Sequence, residues 1–300
     1  LDESVKPNVR PRTYEGYEWH VRLHIVPAIG RSRLVKLAGQ DIESLMNGMR
    51  RHGYSERTIQ YTLTVLRQAL GRAHKWGLVS QNVATLVDRP KARRPEVQPF
   101  NPDQARTFLA AIKGDRLEAL YTVALAVGLR KGEALGLHWD EVDLDAATLR
   151  VRKALQRVNG SLQLVEPKSA RSRRTISIPE IAVASIRLHR ARQLQERLLA
   201  GSRWQERGLV FTSTIGTPFD PRNVNRHFSR ALKRASLPHQ RFHDLRHGCA
   251  TLLLAQGVHP RIVMEIMGHS QISLTMDTYS HVIPEMQQQA ASEMDNILTG

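Results

Sequence analysis

The stretch His243-Asp-Leu-Arg-His-Gly-Cys-Ala-Thr-Leu-Leu-Leu254 predicts a helix with two chemically different faces. Its apolar face recurs at helical spacing and comprises Leu245, Cys249 and Leu252. His243 and Arg246 lie three residues apart on another face, near the helix start, where backbone N–H groups favour an anion. The residue order differs from the His-Glu-x-x-His pattern of zinc proteases, so we do not expect a metal here.

Two further polar residues follow this helix. Gly268 ends one predicted helix and Ser270 is placed to cap the next, with His269 between them. Tyr279 follows ten positions after His269. A tyrosine hydroxyl has a pKa of about 10, so its use as a nucleophile at neutral pH requires nearby proton acceptors and cations. This region contains both, although a single tyrosine near a helix end is more commonly a core or boundary residue.

The composition of the 300-residue chain indicates two domains and a polyanionic partner. A formal net charge of +16 suits nucleic acid better than an acidic membrane surface. No apolar run approaches the ~20 residues that span a bilayer and no signal peptide opens the sequence, so we expect a soluble intracellular protein. Cys249 is the only cysteine, which excludes an internal disulfide and a cysteine-rich zinc site. The chain starts with Leu1 rather than methionine, so we expect it to be part of a longer protein.

Apolar periodicity predicts three helices in residues 1–90. The first runs from Thr13 to Ile29, and the second has Asp41 as its N-cap and closes at Gly53. The third has a buried stripe at steps of three and four residues, formed by Ile59, Leu63, Leu66, Leu70 and Ala73. Basic residues off this stripe fit phosphate contacts and a solvated helix face equally well, namely Arg67, Arg72 and Lys75.

A basic, proline-rich segment separates the two predicted domains. Between Asp88 and Pro102 the chain has four prolines, four basic residues and no apolar period. We therefore predict an all-α domain at residues 1–90, a linker at 91–101 and a second domain at 102–300. A basic tether between basic domains suits a clamp that closes around a nucleic acid duplex, but an ordinary solvated connector has the same composition.

The second domain is predicted to be mainly helical with one small sheet. Helices are expected at Pro102–Ile112, Leu117–Val127 and Pro179–Ala200. A short strand at Leu209–Thr212 and further helices complete the domain. Three strand-like segments are predicted to form one antiparallel sheet, namely Thr148–Arg152, Leu162–Val165 and Thr175–Ile178. The Asn159-Gly160 dipeptide predicts a hairpin turn within this region.

Two earlier segments contain residues that could act on a phosphate. Arg130 follows a helix junction at Gly128, and Glu133 lies three residues later on the same helical face. This pair either presents a guanidinium to a phosphate or is an ordinary surface ion pair. Lys168 begins a basic turn that ends at Arg174. A lysine with a depressed pKa can protonate an alkoxide, whereas charged hairpin tips commonly serve solubility alone.

In chain order these residues resemble the catalytic signature of the tyrosine recombinases, the phage integrase family. The matching motifs are Gly-Leu-Arg-x-x-Glu ending at Glu133, His-x-Leu-Arg-His starting at His243, Gly-His-Ser at 268–270 and Tyr-Ser-His starting at Tyr279. The resemblance runs from about Phe100 to Val282, and residue Met267 stands where the family often has leucine, a volume-conserving difference. It implies a mainly α catalytic domain with a small antiparallel β-sheet (α+β), preceded by an all-α core-binding domain, in a two-domain DNA clamp.

The resemblance also implies strand exchange through a covalent 3′-phosphotyrosyl intermediate on Tyr279. Arg130 and Arg246 would hold the nonbridging oxygens of the scissile phosphate through charge-assisted hydrogen bonds. Lys168 would protonate the departing 5′ oxygen. Because the phosphotyrosine conserves bond energy, no cofactor, metal or ATP is expected.

Three residues have assisting roles in this scheme. His243 would help to remove the proton from the tyrosine, and His269 would donate to the phosphate oxygens or fix the nucleophile. Glu133 would orient its neighbours. The division of labour between the two histidines stays open.

The implied partner is double-stranded DNA with recombination sites, bound by a homotetramer across two sites. Accessory DNA-bending proteins are further candidates, and no membrane is involved. The implied location is the cytoplasm of a bacterial host at its nucleoid, where a phage or mobile element is integrated or excised. Residues 284–298 have apolar positions at near-helical spacing, which suits docking on a neighbouring protomer or folding back on the same domain.

Three other functions fit parts of the sequence. A type IB topoisomerase uses similar chemistry and would relax supercoils without recombinant products. A non-enzymatic DNA-binding protein would form no covalent adduct. A metal-dependent transposase or nuclease fits least, because no carboxylate cluster is apparent in the sequence, and activity in excess chelator would argue against it.

Overall fold

The computed structural model describes residues 2–92, 98–166, 173–268, 291 and 294–299. Its chain divides into two compact units, one of Leu1–Glu96 with Arg157–Ser161, and one of Val97–Gln156 with Leu162–Gly300. The prediction of a mainly helical chain with small antiparallel strands is confirmed. Among the described residues, no helix combines the length and apolar character that crossing a membrane requires.

The first unit is all helical in its amino-terminal part. Its helices are α1 (Pro11–His20), a π-helical turn (Val21–Ile25), α2 (Val26–Ile29), α3 (Gly39–Arg51) and α4 (Glu56–Lys75). Single 3₁₀ turns occur at Lys6–Asn8, Leu34–Lys36 and Val83–Leu86. The helical run predicted for Thr13–Ile29 is therefore confirmed, and Pro11 stands near its start, where a missing N–H costs nothing.

The predicted N-cap of α3 is wrong. The cap is Ala38, and Asp41 lies in the first turn, where its Oδ2 accepts a hydrogen bond from the Ala38 N–H at 2.9 Å. A carboxylate at this position satisfies an otherwise unpaired backbone donor from inside the helix, so the helix begins two residues before Asp41.

The apolar stripe of α4 is confirmed as the core of the first unit. Its five residues are all buried, and all but Ala73 pack in one cluster with the apolar face of α3, formed by Ile42, Leu45, Met46 and Met49. Ser55 caps α4 by accepting from the Thr58 N–H at 3.2 Å. These contacts come from a strict helical period, which is why the sequence predicts them correctly.

Arg67 is half-buried and makes internal hydrogen bonds that the sequence did not predict. Its Nε donates to the Ala84 carbonyl at 2.9 Å and its Nη2 to the Val87 carbonyl at 2.6 Å. Both acceptors lie in the segment that follows α4. Arg67 therefore fastens this segment to the helix by internal hydrogen bonds.

Two buried histidines lie between α1 and α4. The His20 Nδ1 is 2.8 Å from the Thr62 Oγ1, and the His20 and His24 rings are 5.6 Å apart. Burial, with a smaller contribution from the charge of His24, lowers the pKa of His20 to about 4. Its imidazole is therefore neutral in the folded unit at physiological pH.

The second unit begins inside the predicted linker. Phe100 is fully buried in the second core, and the Asn101 side chain caps α5 by accepting from the Gln104 N–H at 2.8 Å. Phe100 is a single aromatic residue among prolines and belongs to no apolar period, so the sequence does not predict its burial.

Most of the second unit is helical. Its helices are α5 (Pro102–Ala111), α6 (Glu118–Val127), α7 (Lys131–Leu135), α8 (Glu180–Ala200), α9 (Pro221–Arg234), α10 (Phe242–Ala255) and α11 (Pro260–Met267), with 3₁₀ turns at Trp139–Glu141 and Gly201–Arg203. Helix α6 is buried on nearly all sides and packs against α8 and α10. It is the centre of the second core.

The prediction of one three-stranded sheet is wrong in its pairing. A sheet of β1 (Val142–Asp143), β2 (Thr148–Val151) and β5 (Arg174–Ser177) is antiparallel, with Leu149 opposite Ile176. A separate hairpin joins β3 (Ala154–Val158) and β4 (Ser161–Val165). Asn159 and Gly160, with φ of 47° and 75°, form its two-residue turn as predicted. So short a turn pairs β4 with the segment just before it, which leaves β5 to pair with β2.

The strand predicted at Leu209–Thr212 is also wrong. Leu209 and Thr212 form isolated bridges to His138 and Pro218. The Val210 carbonyl instead accepts a hydrogen bond from the Gln193 Nε2 at 2.9 Å and lies 2.8 Å from the His189 Nε2. Polar side chains of α8 satisfy this carbonyl, and the Val210 N–H donates to the Leu137 carbonyl at 2.8 Å, so the backbone pairing is limited to isolated bridges.

Candidate active site

The candidate site lies where the end of α6, the start of α7, and helices α10 and α11 meet. Gly128 ends α6 in a left-handed conformation with φ of 67°. A Cβ atom at this position would lie 2.2 Å from the Met267 Cε. The glycine therefore permits both the turn toward Arg130 and the close approach of α11.

Arg130 is the N-cap residue of α7 and is held by Glu133. The Arg130 Nη1 donates to the Glu133 Oε1 at 2.6 Å, and the Arg130 backbone N–H donates to the Glu133 Oε2 at 3.0 Å. The Arg130 Nη2 donates to the Gly268 carbonyl at 3.1 Å. The side chain is still 36% exposed, so an anion can reach the guanidinium from solvent.

Glu133 is almost fully buried and is shared by two guanidiniums. Its Oε2 also accepts from the Arg174 Nη2 at 3.1 Å. Burial acts to raise the pKa of Glu133, but the charges and hydrogen bonds of Arg174 and Arg130 outweigh it and lower that pKa. The carboxylate is therefore charged and fixes both arginines.

Arg246 is buried in α10, with 3% of its surface exposed. Its Nη1 donates to the Gly128 carbonyl at 2.6 Å, and its Nη2 donates to the Met267 carbonyl. Of the predicted apolar face of this helix, Leu245 and Cys249 are buried, whereas Leu252 is only half-buried. Arg246 thus joins α10 to the α6–α7 turn and to the end of α11.

His243 stands on the same face of α10 as Arg246 and is open to solvent on one side. Its ring makes an edge contact with the His247 ring, and the two ring centroids are 5.1 Å apart. Desolvation is the largest influence on the ring and, together with the charges of His247, Arg246 and Arg130, lowers the pKa of His243 to about 4. The imidazole is therefore neutral at pH 7 and can accept a proton.

Three arginines bind three successive carbonyls at the end of α11. The Arg174 Nε donates to the Ile266 carbonyl at 2.7 Å. Arg246 binds the carbonyl of the next residue and Arg130 that of Gly268. The last carbonyls of a helix lack partners within it and carry partial negative charge, so guanidiniums are suited to this position.

The structure brings together four of the predicted site residues, namely Arg130, Glu133, His243 and Arg246. The other three, Lys168, His269 and Tyr279, lie outside the described residues. Arg174 is a further residue of this site that the sequence does not predict, because its motif shows it only as the last basic residue of a charged turn. Over the part of the chain that the structure describes, no group of three or more histidine, cysteine or acidic residues is placed to hold a metal ion.

Comparison with known families identifies the chain. The phage integrase family matches residues 98–286, and the phage integrase N-terminal SAM-like domain matches residues 3–50. The chain belongs to the phage integrase family. This confirms the resemblance seen in the sequence and makes the chain a site-specific tyrosine recombinase, an enzyme that acts in DNA recombination.

Several relatives of this integrase are named as recombinases or integrases. It is 31% identical to a tyrosine recombinase XerC-like protein of Caldanaerobacter subterraneus over 99% of this chain and 81% of the relative. It is 31% identical to an integrase of Streptomyces ambofaciens, over 95% and 75% of the two chains. It is 26% identical to the ICEBs1 integrase of Bacillus subtilis, over 98% and 80%.

Solved structures share the fold of this integrase. The Tn1549 transposon integrase in complex with transposon right end DNA superposes with a TM-score of 0.79 at 24% identity, covering 94% of this chain and 95% of the other. A lambda integrase tetramer bound to a Holliday junction superposes with a TM-score of 0.63 at 17% identity, covering 90% and 72%. These likenesses establish the fold of the described residues.

Proposed function

We propose that this integrase cuts and rejoins DNA at specific sites with Tyr279 as its nucleophile. The observation that most supports this proposal is the shared anchoring of Arg130 and Arg246, which are distant in sequence and bind the adjacent carbonyls of Gly268 and Met267. Two guanidiniums held side by side match the two nonbridging oxygens of a phosphodiester.

In the proposed step the Tyr279 hydroxyl oxygen attacks the scissile phosphorus. A bond forms between this oxygen and phosphorus, and the bond from phosphorus to the 5′ oxygen breaks. The products are a 3′-phosphotyrosyl linkage and a 5′-hydroxyl end. A 5′-hydroxyl from the partner strand then reverses the reaction, so the bond energy is conserved. Arg130 and Arg246 stabilise the negative charge that builds on the nonbridging oxygens.

Two side chains transfer protons in this step, and a third donates a hydrogen bond. His243 accepts the proton of Tyr279, Lys168 gives a proton to the departing 5′ oxygen, and His269 donates to a nonbridging oxygen. A phosphate bound between the two arginines offsets two of the charges that lower the pKa of His243. DNA binding therefore raises that pKa and makes the imidazole a better base.

The proposed partner is duplex DNA with two recombination sites, bound by four protomers. The net charge of +16 and the lambda integrase tetramer on a Holliday junction support this assembly. We assign core-site binding to the helical domain at residues 1–90 and catalysis to residues 102–300, with the intervening segment as a tether. Residues 284–298 dock on a neighbouring protomer in this proposal, and accessory DNA-bending proteins assist.

The covalent intermediate provides the test. On a nicked suicide substrate the wild type should accumulate a protein–DNA adduct, and Tyr279→Phe should form none while binding the site with similar affinity. Tyr54→Phe, a change at an exposed tyrosine of the first unit, is the matched control and should form adduct normally. An adduct with Tyr279→Phe would overturn the nucleophile assignment. Relaxation of supercoils without recombinants from paired sites would favour a topoisomerase.

A further inference from the structure

We propose that Arg174 is a positioning residue for the cleavage step, acting through Arg130. This inference rests on the proposed function. Arg174 is the first residue of β5, and its side chain is only 8% exposed. Its guanidinium contacts protein groups from two different segments, the start of α7 and the end of α11.

The contacts of Arg174 join the support of Arg130 to the end of α11. The Nε donates to the Ile266 carbonyl at 2.7 Å, and the Nη2 donates to the Glu133 Oε2 at 3.1 Å. Both donors belong to one planar, rigid group, so the distance between the carbonyl and the carboxylate is set by the guanidinium itself. A lysine ammonium at this position has no such fork.

Gly268 packs directly against the same guanidinium. A Cβ atom on this residue would lie 3.0 Å from the Arg174 Nη1, and its φ is 61°. The Gly268 carbonyl also accepts from the Arg130 Nη2. Arg174 therefore supports Arg130 from two sides, through Glu133 and through the backbone of Gly268.

This arrangement connects three segments that carry proposed catalytic groups. Strand β5 begins six residues after Lys168, the start of α7 carries Arg130, and Gly268 precedes His269 in the sequence. Arg130 is 36% exposed, whereas Arg174 is nearly enclosed and bound to protein atoms. We assign phosphate contact to Arg130 and a positioning role to Arg174, because the Arg174 guanidinium donates to Glu133, the carboxylate that holds Arg130.

The test measures single-turnover cleavage of the suicide substrate at saturating protein. Arg174→Ala should lower the cleavage rate constant by roughly 10- to 100-fold, by analogy with residues that orient metal ligands, with DNA affinity within about twofold. Arg174→Lys keeps the charge but should recover only a small part of the lost cleavage rate. Arg173→Ala is the matched control, because Arg173 is 61% exposed and pairs loosely with Glu166 at 3.8 Å. It should cleave at nearly the wild-type rate.

Two further measurements separate positioning from a purely structural role. If Arg174 acts through Arg130, the double variant Arg130→Ala with Arg174→Ala should be hardly slower than Arg130→Ala alone. A methylphosphonate at the scissile position removes the charge that Arg130 neutralises, so the defects of both single variants should shrink on that substrate.

Multiplicative defects in the double variant, or an undiminished Arg174→Ala defect on the methylphosphonate, would overturn the inference. So would a loss of cleavage in both Arg174 variants that merely follows the fraction of unfolded protein. These outcomes are distinct from failure of the proposed function, which would appear as adduct formation by Tyr279→Phe.

Discussion

The contact between Gly128 and α11 predicts a large effect for Gly128→Ala. Alanine in the left-handed conformation at φ of 67° costs about 1 kcal/mol relative to glycine. The new Cβ would also lie 2.2 Å from the Met267 Cε and 3.3 Å from the Cys249 Sγ. Overpacking of this kind costs about 1–3 kcal/mol. We therefore expect the free energy of unfolding of the second unit to fall by about 2–4 kcal/mol, the sum of these two costs.

Gly257→Ala separates the two costs. Gly257 follows α10 with φ of 75° and has nothing within 4 Å of an added Cβ, so its replacement should cost only about 1 kcal/mol. Urea unfolding, read through hydrogen exchange of amides in α6 and α10, measures both variants. Gly128→Ala should also slow cleavage, because the displaced Met267 carries the carbonyl that Arg246 binds. Equal losses of stability in the two variants would refute the packing argument.

Three further predictions concern other residues. Lys168→Ala should slow cleavage much less when sulfur replaces the leaving 5′ oxygen, and equal slowing on both substrates would exclude the acid role. Because burial lowers the pKa of His20 to about 4, the stability of the first unit should be full above pH ~6.5 and fall by up to about 3 kcal/mol as the pH drops to ~4. Urea titrations should show this loss in the wild type and a smaller one in His20→Asn, and a flat wild-type profile would contradict the burial of a neutral ring. Arg67→Ala should lower the free energy of unfolding of the first unit by about 1–3 kcal/mol, because the hydrogen bonds to Ala84 and Val87 are lost. It should leave the salt dependence of DNA binding unchanged. A plot of log affinity against log salt concentration with a slope lower by about one would reveal a phosphate contact.

The elements that sequence reasoning predicted correctly are those with a local cause. The stripe on α4 follows from apolar residues at helical spacing, and the Asn159-Gly160 turn follows from two residues that tolerate positive φ. Two of the errors concern backbone groups whose hydrogen-bond partners lie far away in the chain. The Val210 carbonyl binds side chains of α8 while its N–H binds the Leu137 carbonyl, and β2 pairs with β5 across the intervening hairpin.

Some residues of the candidate site are likewise predictable from local sequence, and others only from the tertiary structure. Short motifs in the sequence by themselves determined the family and identified Arg130, Glu133, His243 and Arg246, because each motif places its residues on one helix or turn. Only the tertiary structure decided that Arg174 belongs with them. Its partners, Glu133 and Ile266, lie in segments far apart in the chain, and no local spacing predicts which carbonyl and which carboxylate one guanidinium will bind. The same packing favours glycine at 128, where φ is 67° and an added Cβ would displace the end of the Met267 side chain.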